Sequence, residues 1–68
     1  MGMDPNQAWL DLANAIECNE WQSATEIAGN LEQWLLKGGN PPAITGKQTF
    51  DRIVTRSTIE AITTWEVA

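Results

Sequence analysis

Residues 37–42, Lys-Gly-Gly-Asn-Pro-Pro, constrain the fold of this chain more than any other stretch. Adjacent glycines let the backbone turn into the left-handed region that ends helices. Adjacent prolines lack the amide hydrogen a helix or central strand needs. No regular element can cross this point, so the 68 residues divide into an N-terminal segment of residues 1–36 and a C-terminal segment joined by a Gly/Pro connector at 38–46. At this length the chain is one small domain, 1–68.

The first segment reads as two helices. Asp4-Pro5 is a helix start, with an acidic acceptor for the first free amides and a proline at the first helical position. Gln7, three residues on, suits a capping box. Ala8, Trp9, Leu12, Ala13 and Ile16 follow at helical spacing, which predicts a helix over 5–18. Asn19 is placed to cap a second helix. Trp21, Ala24, Ile27, Ala28, Leu31, Trp34 and Leu35 form its apolar face, so the helix is expected over 20–37. Gly29 inside it suggests close approach of a facing helix. Lys37 before Gly38-Gly39 places a base at the negative helix end. The short link between the helices makes them antiparallel neighbours. The pair resembles one helical unit of a tetratricopeptide repeat, but only one such unit is present and repeat stacks need about three.

In the connector Ile44 is expected to point into the core. The last segment carries two periodicities. Phe50, Ile53, Val54, Ser57, Ala61, Ile62 and Trp65 make a helical face. Ile53, Thr55, Ser57, Ile59, Ala61, Thr63, Trp65 and Val67 alternate as in a strand, and the β-branched content favours that reading. No turn signal interrupts 47–68, and a lone strand would pair only with its own copy in a dimer. A helix is therefore expected, broken near Thr55–Ser57 if Ser57 and Glu60 form a second capping box. The fold class is all-α: an antiparallel helical hairpin plus a third C-terminal helix.

The segment Trp34-Leu35-Leu36-Lys37-Gly38-Gly39-Asn40-Pro41-Pro42 resembles a pattern in small proteins of bacteria and their phages, in which an acidic helical hairpin ends in Trp-Leu-x-(Lys/Arg)-Gly-Gly-x-x-Pro. The match covers about residues 6–42. Asn40 stands where that family often has an aromatic residue. The resemblance implies an accessory protein of no established activity.

The composition narrows the chemistry. There is no His and one Cys, so no His-dependent triad, no thiolate zinc site and no intrachain disulfide can form. Cys18 lies between Glu17 and Glu20 at a helix C-terminus, which opposes a reactive thiolate. A free Cys fits a reducing compartment, and the cytoplasm is the expected location. No basic-then-apolar leader and no long apolar stretch is present, so neither a secretory signal nor a membrane span is expected. Met3 after Met1-Gly2 suggests that residues 1–3 contain a cloning remnant and the natural start. No enzyme activity, metal or cofactor is expected.

The formal charge is −5 and is unevenly spread. Asp4, Asp11, Glu17, Glu20, Glu26 and Glu32 fall in residues 1–36 with no base among them, while Lys37, Lys47, Arg52 and Arg56 carry all the positive charge. Pairing of the acidic half with this basic stretch is expected. Duplex nucleic acid is excluded, because four bases in an acidic chain cannot supply the phosphate contacts. Lys47, Arg52 and Arg56 form a candidate anion patch.

Ordering a residue costs roughly 1.5 kcal/mol, which core burial in so short a chain only about balances. Four Trp and self-association are the available remedies. Trp9, Trp21, Trp34, Trp65 and Phe50 exceed the room in a three-helix core, so part of them is expected at a contact surface. The candidate interface is Trp65, Val67, Ile62 and Ile59. The sequence thus points to a small non-enzymatic interaction protein, binding itself as a homodimer or larger assembly, or another protein, with a phage context suggested by the resemblance. The alternative is a binder of an anionic small molecule or nucleotide at a subunit interface lined by Lys47, Arg52, Arg56 and Trp.

Overall fold

A computed structural model describes the backbone of residues 3–67 and the side chains of residues 3–64. Three helices follow in order: α1 Pro5–Glu17, α2 Trp21–Leu36 and α3 Gln48–Val67. No strand occurs among the described residues, and residues 48–67 are helical rather than an intersubunit strand. α3 runs unbroken, and Ser57 and Glu60 lie inside it rather than at a second helix start. α2 is the central element. α1 and α3 both pack on it and make no close approach to each other.

The helix ends follow from local chemistry. The Asp4 carboxylate accepts from the Asn6 amide at 3.0 Å and the Gln7 amide at 3.4 Å, capping α1. The Gln7 side chain does not close a capping box; its amide donates to Asp11 at 3.0 Å, one turn on. Asn19 is not the N-cap of α2. It takes the left-handed conformation, φ 58°, that ends α1. Its own amide donates to the Ile16 carbonyl, and that of Glu20 to the Ala15 carbonyl. Asn tolerates this conformation because its short polar side chain bonds locally. α2 ends the same way with glycine: Gly38 has φ 88°, its amide reaches the Leu35 carbonyl, and the Gly39 amide reaches that of Trp34. These bonds satisfy carbonyls that a helix end otherwise leaves unpaired.

The core is Leu12 and Ala15 of α1, Ala24, Ala28, Leu31 and Leu35 of α2, and Ile59 and Ile62 of α3. Met3, Ala8, Trp9, Ile16, Ile27 and Trp34 pack around it half-buried. On α1 the buried alanine is Ala15, and Ala13, expected inward, is exposed. Gly29 faces open space, so no facing helix explains it.

The larger departure is on α3. Its buried face is Asp51, Thr55, Ile59 and Ile62. Phe50 and Ile53, which lead the expected apolar face, are 53% and 57% exposed, and Ala61 is exposed with them. The polar members of the buried face satisfy themselves. The Thr55 hydroxyl donates to the Asp51 carbonyl one turn back at 2.7 Å. The Asp51 carboxylate accepts from both the amide and the hydroxyl of Thr45, at 2.8 and 2.7 Å. Once paired, such groups pack inward at little cost.

The connector is built as a strap across the end of α2. Pro41 and Pro42 are buried, whereas Ile44 is 37% exposed and does not enter the core. The Trp34 indole donates to the Asn40 carbonyl at 2.7 Å. Gln48 donates to the Asn40 side chain at 3.0 Å, and Arg52 to the Gly39 carbonyl at 3.0 Å. The Asn6 side chain accepts from the Ala43 amide at 2.6 Å, which brings the start of α1 to the same end of the molecule. That placement agrees with antiparallel α1 and α2.

Candidate functional site

The residues singled out for binding do not converge. Ile59 and Ile62 are each 5% exposed and belong to the core, so they offer no surface to a partner. The reason is the rotation of α3: its polar-flanked stripe packs on α2 and carries both isoleucines inward. The side chains of Trp65 and Val67 lie outside the described residues. Of the other tryptophans, Trp9 and Trp34 pack against the core, and Trp21 is 37% exposed.

The candidate anion patch also divides. Arg52 and Arg56 line a groove of about 320 Å³ between α2 and α3. Lys47 does not line it. The floor includes Leu35, Leu36 and Ile59, and two carboxylates, Glu32 and Glu60, face the same space as the two guanidinium groups. The groove is charge-balanced, so an anion entering it meets no net positive charge. Arg52 is further committed to the Gly39 carbonyl at the end of α2, where a cation opposes the negative end of the helix dipole.

The expected pairing of acidic and basic halves is not formed. None of the four basic residues makes an ion pair with a carboxylate among the described residues. α1, which carries Asp11 and Glu17, does not approach α3, which carries Arg52 and Arg56.

Asp51 is 2% exposed. The hydroxyl of Thr45 holds its carboxyl below the ordinary carboxylate range; burial opposes this, and the amides of Thr45, Ile44 and Gly46 support it. It works as a fastener between the connector and α3. Its spacing to Thr45, six residues across Gly46, is a side-chain-to-backbone bond that an apolar periodicity does not register. Cys18 is exposed at the C-terminal cap of α1. No group of three or more His, Cys, Asp or Glu among the described residues is placed to hold a metal ion. No helix among them is long and apolar enough to cross a membrane.

Leu10 and Leu36 are exposed singly, and the outer face of α3 carries a run of exposed positions. Phe50, Ile53, Ser57, Ala61 and Thr64 follow one another at spacings of three or four residues and are all exposed. That spacing puts them on one line along the helix. From Phe50 to Thr64 the line runs about 21 Å along α3 at 1.5 Å per residue. Val54 beside it is half-buried. Of the apolar stripe that the sequence presents as a packing face, Phe50, Ile53, Ser57 and Ala61 are turned to solvent, and Ile62 is in the core.

No family model, no curated protein sequence and no solved structure matches this chain.

Proposed function

We propose that this chain is a small non-enzymatic interaction protein whose contact surface is the outer face of α3. The observation that carries the reading is the exposure of Phe50 and Ile53, 53% and 57%, on a helix already packed through its opposite face. Large apolar side chains in register on an unpartnered helix face favour a protein contact over solvent.

The similarity of residues 34–42 to small bacterial and phage proteins fits an accessory role of this kind. An unpaired exposed thiol at Cys18 suits a reducing compartment such as the cytoplasm. The alternative reading, an anionic ligand held by Lys47, Arg52 and Arg56, loses support from the carboxylates that share the groove and from the separation of Lys47.

Native mass spectrometry on protein purified gently from cells tests the reading. An assembly of unmodified chains, or of this chain with a second protein, is the expected result, and Ile53→Glu dissociates it. A monomer carrying an added small mass that denaturation removes would overturn it in favour of a ligand binder.

A further inference from the structure

The outer face of α3 is uneven in size along its length. Its large side chains, Phe50 and Ile53, stand in the first half, and Ser57, Ala61 and Thr64 stand in the second. Two copies laid parallel would oppose large to large and small to small, leaving a clash at one end and a void at the other. Laid antiparallel about Ser57, each large residue meets a small one. Ile53 falls opposite the partner's Ala61, Phe50 opposite the partner's Thr64, and Ser57 opposite the partner's Ser57. One register satisfies all three pairs.

The charges beside this line have the same symmetry. Arg56 and Glu60 lie one turn apart on the groove side of the outer face, and neither is ion-paired with a described residue. In the antiparallel register Arg56 comes beside the partner's Glu60, and by the two-fold axis Glu60 comes beside the partner's Arg56. In a parallel pair the two-fold axis would place these residues on opposite flanks of the seam, and the pairing would be lost. Of the acids of residues 1–36, Glu32 alone lines the groove beside Arg56 and Glu60.

Resting on the proposed role of α3 as a contact surface, we infer that its occupant is a second copy of this chain, bound antiparallel about a two-fold axis through Ser57. Such an interface is isologous and closes at two subunits. It joins the large-to-small pairing and the charge pairing in one arrangement.

Disulfide trapping tests the orientation. With Cys18→Ser as background, Ile53→Cys and Ala61→Cys chains are mixed and mildly oxidised. All three positions are exposed in the folded chain. A disulfide needs Cβ atoms about 3.8 Å apart, so only opposed positions link. The expected result is a mixed 53–61 product in excess over both self-linked products, with Ser57→Cys linking to itself. Arg56→Glu, with the same background free of new cysteines, raises the dimer dissociation constant about tenfold, and Arg56→Glu/Glu60→Arg restores it. A dimer that links 53 to 53 and 61 to 61 overturns the antiparallel register and leaves α3 as the contact surface. A dimer that none of these cysteines links, and that Ile53→Glu leaves intact, overturns both. A chain that stays monomeric at all concentrations overturns the second copy as the occupant and assigns the face to a different protein.

Discussion

Gly39→Ala replaces a single hydrogen with a methyl group and is expected to be among the most costly small substitutions in this chain. The reason is Trp34. A Cβ at position 39 would fall 2.5 Å from the indole Nε1 and 2.6 Å from Cδ2, and closer still to Cε2. Contacts this short cannot persist, so the ring must leave. Overpacking of this kind costs typically 1–3 kcal/mol. Displacing the ring also breaks its hydrogen bond to the Asn40 carbonyl, now 2.7 Å, which contributes about 1 kcal/mol. The expected loss is therefore about 2–4 kcal/mol. The conformation of Gly39 is not the cause, because its φ is not positive. Gly38→Ala separates the two effects. Gly38 has φ 88° and nothing within 4 Å of an added Cβ, so its cost is the left-handed penalty alone, about 1–2 kcal/mol. Urea unfolding at one fixed protein concentration measures both, since the stability of an associating chain depends on concentration. The indole N–H resonance of Trp34 reports its hydrogen bond independently. A Gly39→Ala protein with undiminished stability and an unshifted Trp34 indole resonance would refute the reasoning.

Gly29→Ala should stabilise the fold by up to about 1 kcal/mol, because the position is helical, exposed and open on all sides; thermal unfolding at fixed concentration checks the sign. Leu31→Ala should cost about 2–5 kcal/mol, since Leu31 is fully buried at the centre of the core; a urea midpoint close to that of the parent would contradict the packing described. Asp51 has a folded-state pKa below its unfolded value, so its stabilisation is complete above about pH 4 and is lost as pH falls through the folded value. Asp51→Asn should lower stability at pH 7 and flatten the acid side of the stability profile, and an unchanged acid slope would show that this carboxylate is not the fastener.

Much of the hairpin was legible because its signals are local. The positions of Ala24, Ala28, Leu31 and Leu35 repeat at the helical period, and Gly38 with Pro41 and Pro42 closes α2, whereas Asn19, read as the cap of α2, instead ends α1. α3 was legible as an element and not as a surface. Periodicity picks out the stripe of Phe50, Ile53, Val54, Ser57, Ala61, Ile62 and Trp65. The stripe that packs inward contains Asp51 and Thr55, which the hydropathy pattern places outside. Their burial depends on two partners that only the folded chain brings together, the Thr45 amide and hydroxyl for Asp51 and the helix's own carbonyl for Thr55. The same rotation moved Ile59 and Ile62 from the expected contact surface into the core. The anion patch failed for a different reason. Sequence proximity grouped Lys47 with the arginines and gave no sign that Glu32, from another helix, would share their groove.

Sedimentation equilibrium of the parent chain and of Ile53→Glu, over a hundredfold range of concentration, tests the account most directly. The parent is expected to approach twice its 7.5 kDa chain mass as concentration rises, while Ile53→Glu, folded by circular dichroism, stays at the chain mass throughout. A folded Ile53→Glu protein that associates as strongly as the parent would contradict the assignment of the outer face of α3 as the surface through which this protein acts.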